Sequence, residues 1–317
     1  MRKLITIALL GALPVIASTS AQASLIYRTG TNSSQQAPAF DVYDTNTNTW
    51  SSRAMLPGSN TTQLASNSNS VFALTEDANI YQYDATLDQW MFHLAGPAAS
   101  IGRHAISMFD IDANGEFYWG DDGSSQLHYT VGGNWNTIGT PARISSGSDI
   151  DMVNNQLLIR TYFQAGFFTY DIDTQSFGTV CNSATTVGEN GRVGGYYDGN
   201  FYSSVFSGGN MLATNTTTCQ QVDTGAALTA THASMEVSND GLIYLNGYSG
   251  TQTVFEVYDI ATNTFTSLAN APTCAPGDHC SLAIVEDINR VEVPEPASIA
   301  LILAGLLGLR SRKTQAE

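Results

Sequence analysis

Lysine is almost absent from this 317-residue chain: Lys3 and Lys313, one near each end, are the only two. Between residues 24 and 296 there is none, and seven arginines stand against 27 acidic residues, a balance of −20. A body this acidic repels a phosphate backbone, which excludes nucleic acid as a partner, and it has no lysine for a phosphate-binding loop. Cysteine is also scarce. The four present contain no Cys-x-x-Cys, so neither a zinc ribbon nor a thioredoxin-like site is expected. Gly-x-Ser-x-Gly and His-Glu-x-x-His are missing too. No stretch of the middle carries an apolar stripe at a 3.6-residue period, which excludes helical repeats. What remains is 43% hydrophobic and 10% aromatic, enough to fill a core, in a length that suits one large all-β domain or two ordinary ones.

The two ends read as addresses. Residues 1–23 have the form of a signal peptide: Arg2-Lys3, an apolar stretch from Leu4 to Ile16, then Ala21-Gln22-Ala23, with cleavage expected between Ala23 and Ser24. Export permits disulfides. The four cysteines allow three connectivities; the short loop through Pro276 and Gly277 favours Cys274–Cys280, leaving Cys181 with Cys219. Residues 292–317 begin with Pro294-Glu295-Pro296. A 13-residue membrane segment follows from Ala297 to Leu309, expected to form a short hydrophobic helix, and then Arg310, Arg312 and Lys313. This end resembles the PEP-CTERM sorting signal. The resemblance implies recognition by an exosortase and cleavage near the Pro-Glu-Pro, in Gram-negative bacteria that make exopolysaccharide. The segment is shorter than the roughly 20 residues of a stable spanning helix, which suits transient insertion before processing.

The middle is a repeat. Tyr43-Asp44 precedes Trp50, Tyr83-Asp84 precedes Trp90, Tyr170-Asp171 precedes Phe177, and Tyr258-Asp259 precedes Phe265. Asp and aromatic are six apart in all four, and the aspartates are spaced 40, 87 and 88. The two long gaps each hide a degenerate copy: one at His128-Tyr129 with Trp135, the other near Ala213-Thr214 without its aromatic. Pro57, Pro97 and Pro272 follow their aromatics by seven residues and Pro141 follows Trp135 by six. Hairpin signals lie upstream, as where Ser234–Ser238 and Leu242–Leu245 flank Asn239-Asp240-Gly241. Residues 24–291 therefore predict about six four-stranded blades of a β-propeller. Leu25-Ile26-Tyr27 reads as a second strand, and Ser281–Val285 is expected to supply the missing innermost one, leaving no open sheet edge.

These residues resemble kelch repeats. The Tyr, Asp, Thr and Trp positions match, as do Arg103-His104-Ala105 and Thr231-His232-Ala233 at blade starts, while the glycine doublet survives only as Gly208-Gly209. The resemblance implies that the repeat aromatics are inter-blade core and that blade-start histidines are structural.

Candidate chemistry is sparse. Asp110, Asp112 and Asn114, with Gly115 sixth and Asp121 twelfth, match a calcium loop. The repeat alignment reads the same residues as a hairpin turn, and that reading weighs more. His104, His232 and His279 each precede an innermost strand and would share a face near the axis, where imidazoles can ligate a metal. The acid pairs Asp110/Asp112 and Asp149/Asp151 differ in parity when counted back from Gly115 and Asn155, so they are expected to point to opposite faces. With no catalytic set and no cofactor expected, the sequence reads as an exported, non-catalytic envelope or matrix protein. Its expected partner is exopolysaccharide or a surface protein. A propeller oxidase or lyase acting on polysaccharide is the alternative.

Overall fold

A computed structural model describes residues 24–30, 39–56, 61–67, 70–75, 77–97, 107–121, 123–151, 154–161, 166–181, 194–203, 209–228, 230–249, 252–270 and 280–286. The expected signal peptide, the Pro-Glu-Pro and the expected C-terminal hydrophobic helix lie outside them. The described residues form six antiparallel four-stranded sheets. Blade 1 holds β1 (Ser24–Gly30), β2 (Ala39–Asp44) and β3 (Thr49–Ser52). Blade 2 is β4 (Thr61–Asn67), β5 (Ser70–Thr75), β6 (Asn79–Asp84) and β7 (Gln89–Ala95). Blade 3 is β8 (Ser107–Ile111), β9 (Phe117–Asp121), β10 (Gln126–Val131) and β11 (Asn134–Gly139). Blade 4 is β12 (Ile144–Asp151), β13 (Gln156–Thr161), β14 (Phe167–Asp171) and β15 (Ser176–Cys181). Blade 5 is β16 (Gly194–Tyr197), β17 (Asn200–Ser203), β18 (Asn210–Asn215) and β19 (Gln221–Ala227). Blade 6 is β20 (Thr231–Val237), β21 (Leu242–Ser249), β22 (Gln252–Asp259) and β23 (Thr264–Ser267).

The last strand, β24 (Cys280–Glu286), returns to blade 1 and pairs with β1, matching Leu25 to Val285 and Tyr27 to Ala283. It is the innermost strand of that blade, as the sequence predicts. The inner strands β24, β4, β8, β12, β16 and β20 touch in turn and close the ring. Its central residues, Ser281 to Ile284, are buried, because an inner strand meets a neighbouring blade on each face. Blade 1 also buries an ion pair: Arg28 and Asp41 face each other across β1 and β2 at 3.4 Å, with the guanidinium 6.0 Å from the Trp50 ring.

Why these sequences make these turns follows from one repeated device. The side chains of Asp44, Asp84, Asp171 and Asp259 each accept the backbone N–H two or three residues on, at 2.7–2.8 Å. The chain then enters a left-handed residue four after the acid: Asn48, Asp88, Gln175 and Asn263. Asn and Asp tolerate that conformation best among non-glycine residues. The turn places Tyr43 opposite Trp50, Tyr83 opposite Trp90, Tyr170 opposite Phe177 and Tyr258 opposite Phe265.

The two degenerate copies sit one residue later than the sequence suggests. In blade 3 the partner of Trp135 is Thr130, not Tyr129, because Gly132-Gly133, both left-handed, make a two-residue turn. In blade 5 the equivalents are Thr214-Asn215, with Gln221 in the aromatic position.

The aromatics also tie blades together. Trp50 Nε1 donates to Ala269 O at 2.8 Å, Trp90 Nε1 to Ala54 O at 3.1 Å and Trp135 Nε1 to Ala95 O at 2.7 Å, each reaching the preceding blade. Trp90→Phe keeps most of the ring and loses only that bond, so urea unfolding should show a loss of about 1 kcal/mol. Trp90→Ala should cost about 3 kcal/mol through lost packing. Equal losses would show that the indole N–H contributes nothing.

Candidate functional site

The inner strands end at turns on one face of the ring, and residues from the ends or turns of β4, β8, β12, β20 and β24 line an axial cavity of about 420 Å³. Carboxyls of Asp149, Glu236 and Glu286 line it with the carboxamides of Asn67, Asn155 and Asn239, over Ile150, Val237 and Ile284. Glu286 is held by Asn239, whose N–H and Nδ2 both donate to it.

Asp110 on β8, Asp149 on β12 and Glu236 on β20 occupy equivalent places, each two residues before the one that opens its inner turn. In blades 3 and 6 that residue is Asp112, whose N–H donates to Glu116 O, and Ser238, whose N–H donates to Leu242 O. In blade 4 it is Asp151, which pairs with Gln156 across a turn one residue longer. That extra residue cancels the parity difference counted from the far end of the turn. The expectation that Asp110/Asp112 and Asp149/Asp151 face oppositely is therefore corrected: the Asp110 and Asp149 carboxyls lie close enough to interact electrostatically, and Glu236 interacts with both.

Burial raises all three carboxyls. Asp149 Oδ1 accepts the Ile150 N–H at 2.8 Å and Oδ2 accepts the Tyr196 N–H from blade 5 at 2.6 Å. Gly195 leaves room for that approach, since a Cβ there would collide with Val237 Cγ2. Burial raises the Asp149 carboxyl to about 7, against the lowering effect of these two bonds. Burial drives Asp110 and Glu236 well above the carboxylate range, and the Asp149 charge raises both further. All three keep part of their surface accessible. Asp149 and Glu236 line the cavity. Burial thus favours the protonated form at all three, and at Asp149 two backbone N–H groups oppose it.

The sequence-predicted residues distribute as follows. Asp112 is committed to its turn, accepting the Asn114 and Glu116 N–H groups at 2.9 and 2.8 Å and the Tyr118 hydroxyl at 3.3 Å. Asn114 is exposed on that turn, and Asp121 ends β9. Among the described residues, no three His, Cys, Asp or Glu side chains are grouped to hold a metal ion. His232 lies within β20, paired with Gly247, rather than before the strand. His104 and His279 lie outside the described residues. Cys181 and Cys219 are disulfide-bonded, and Cys280 also takes part in a disulfide. Cys274, Ala23, Pro294, Glu295 and Pro296 lie outside the described residues, whereas Ser24 opens β1.

No family model matches the chain, and no curated protein matches it in sequence. Among solved structures, a chain of the nidogen/laminin complex is similar, with TM-score 0.62 and 9% identity, covering 82% of this chain and 98% of that one. At that identity the likeness shows the six-bladed fold alone.

The raised carboxyls carry a sign. A group that ionises later folded than unfolded adds stability below its unfolded value, 3.8 for Asp149, and loses it as pH rises through about 7. Asp77, Asp88 and Asp171 are lowered, mainly by hydrogen bonds, and act oppositely at acid pH. The melting temperature should therefore rise on acidification from about pH 8 to about pH 5. Glu236→Gln should flatten that rise, and an unchanged slope would contradict the carboxyl assignment.

Proposed function

We propose that this chain is an exported, non-catalytic envelope or matrix protein that binds exopolysaccharide in the axial cavity and is sorted by an exosortase. The observation that carries the reading is the cavity itself. Carboxyl, carboxamide and hydroxyl groups over an apolar floor form a donor and acceptor set suited to a polyhydroxylated chain. Three further features support it. The propeller presents such a cavity on a rigid ring, the disulfide suits an oxidising compartment, and the C-terminal sequence resembles a PEP-CTERM signal. A protein partner fits the same reading, since the similar chain comes from a nidogen/laminin complex.

One observation favours the alternative. Asp110, Asp149 and Glu236 lie within electrostatic reach of one another and burial raises all three, which gathers the carboxyls from which a lyase on polysaccharide draws its base and acid.

The test is retention of the producing strain's own exopolysaccharide by the purified protein, with Glu236→Gln and Asn155→Ala each weakening it about tenfold. No retention would overturn glycan binding. Retention with release of shortened, unsaturated chains would overturn the non-catalytic part. Intact mass on protein from the native host tests the sorting. It should begin at Ser24 and end near Pro294–Pro296, and an intact C-terminus would overturn exosortase processing.

A further inference from the structure

At three places in the ring, the left-handed turn residue of one blade reaches the blade before it. Asn48 Oδ1 accepts the Ala269 N–H at 3.1 Å, Asp88 Oδ1 accepts the Ala54 N–H at 3.1 Å, and Asn263 Nδ2 donates to Thr224 O at 2.9 Å. Ala54 lies four residues past Trp50, and Ala269 four past Phe265.

The seam between blades 4 and 5 keeps the geometry and changes the chemistry. Four residues past Asn215 the left-handed position is Cys219, with φ 56° against 53° at Asn48 and 50° at Asp88. Four residues past Phe177 stands Cys181. The two are joined by a disulfide, Cα to Cα 5.2 Å, where those three seams have a hydrogen bond. The repeat's aromatic pair is replaced in this blade. Thr214 stands for the tyrosine and Gln221 for the tryptophan. The inner strands β16 and β17 have four residues each, and the apolar cluster at the seam has four buried members, Leu158, Phe167, Cys181 and Phe201. Among the described residues it is the smallest of the six.

We infer that Cys181–Cys219 is a redox latch on blade 5: it replaces the hydrogen-bonded tie seen at three other seams, and closing it holds in place the blade 5 N–H that Asp149 accepts at the axial cavity. The link to the cavity is Asp149, whose second N–H partner, Tyr196, belongs to blade 5. Closing the latch removes two electrons and two protons from the two thiols. A disulfide donor accepts them by thiol–disulfide exchange and leaves as a dithiol.

The experiment is amide exchange on the full body, comparing wild type with Cys181→Ser/Cys219→Ser, which leaves Cys274 and Cys280 untouched. Exchange at Tyr196 and along β16–β19 should rise at least about tenfold while blades 1–3 keep their protection. A second variant, Cys181→Ala/Cys219→Asn/Gln221→Trp, rebuilds the tie found elsewhere and should restore protection without the disulfide. Unchanged exchange in the serine variant would overturn the latch. So would loss of protection spread over all six blades in both variants, because the bond would then hold the ring rather than one seam. The readout is the seam itself and stands or fails independently of whether a glycan binds.

Discussion

Each blade of this ring presents two apolar faces, and neither is covered until a neighbour arrives. Ile26 and Tyr43 of blade 1 pack with Tyr244 and Phe255 of blade 6, while Phe40 and Val42 pack with Leu64 and Tyr83 of blade 2. Burying aromatic faces of this kind is worth several kcal/mol per seam, more than the hairpins could gain alone. A single open seam would leave two such faces in water. Closure therefore conditions everything else, and it is achieved by pairing β24 with β1, strands from opposite ends of the chain. The same pairing places Ile284 and Glu286 in the wall of the axial cavity.

Closure also explains the acidic centre. Six inner strands converge, and the residue two before each inner turn has little room and little water. Where that residue is Asp110, Asp149 or Glu236, charge is expensive, and a proton is the cheapest relief for most of the cluster. Asp149 escapes in part because two backbone N–H groups point at it. Carboxyls pushed toward the protonated form, set among carboxamides, give the site mixed donor and acceptor character, which a ring of three full charges would lack.

Much of the fold was legible because its turns are chemically specific. Asp44, Asp84, Asp171 and Asp259 announce the turn by their side-chain bonds, and Asn48 and Asn263 announce its left-handed residue. The closing strand was legible because Leu25-Ile26-Tyr27 lacks an inner neighbour in sequence. Legibility fails where turn length changes. Gly132-Gly133 shortens one outer turn and shifts the blade 3 copy from Tyr129 to Thr130. One added residue between Asp151 and Gln156 reverses the apparent parity of Asp149. Glu236 has no acid two residues away and shows no pattern of its own. Counting back from the residue that opens each turn, Asp112, Asp151 or Ser238, would have grouped all three. The role of Cys181 and Cys219 was legible as a pairing only; their place in the sequence of blade ties needs the register.

The central claim is that the ring exists because β24 closes it. The direct test is calorimetric unfolding of the body ended before Cys280, beside the body that retains β24, with the missing strand then supplied as a separate peptide. The account predicts that the shortened chain loses its cooperative transition and that the peptide restores it. A shortened chain that melts as one unit at the same temperature as the full body would contradict it.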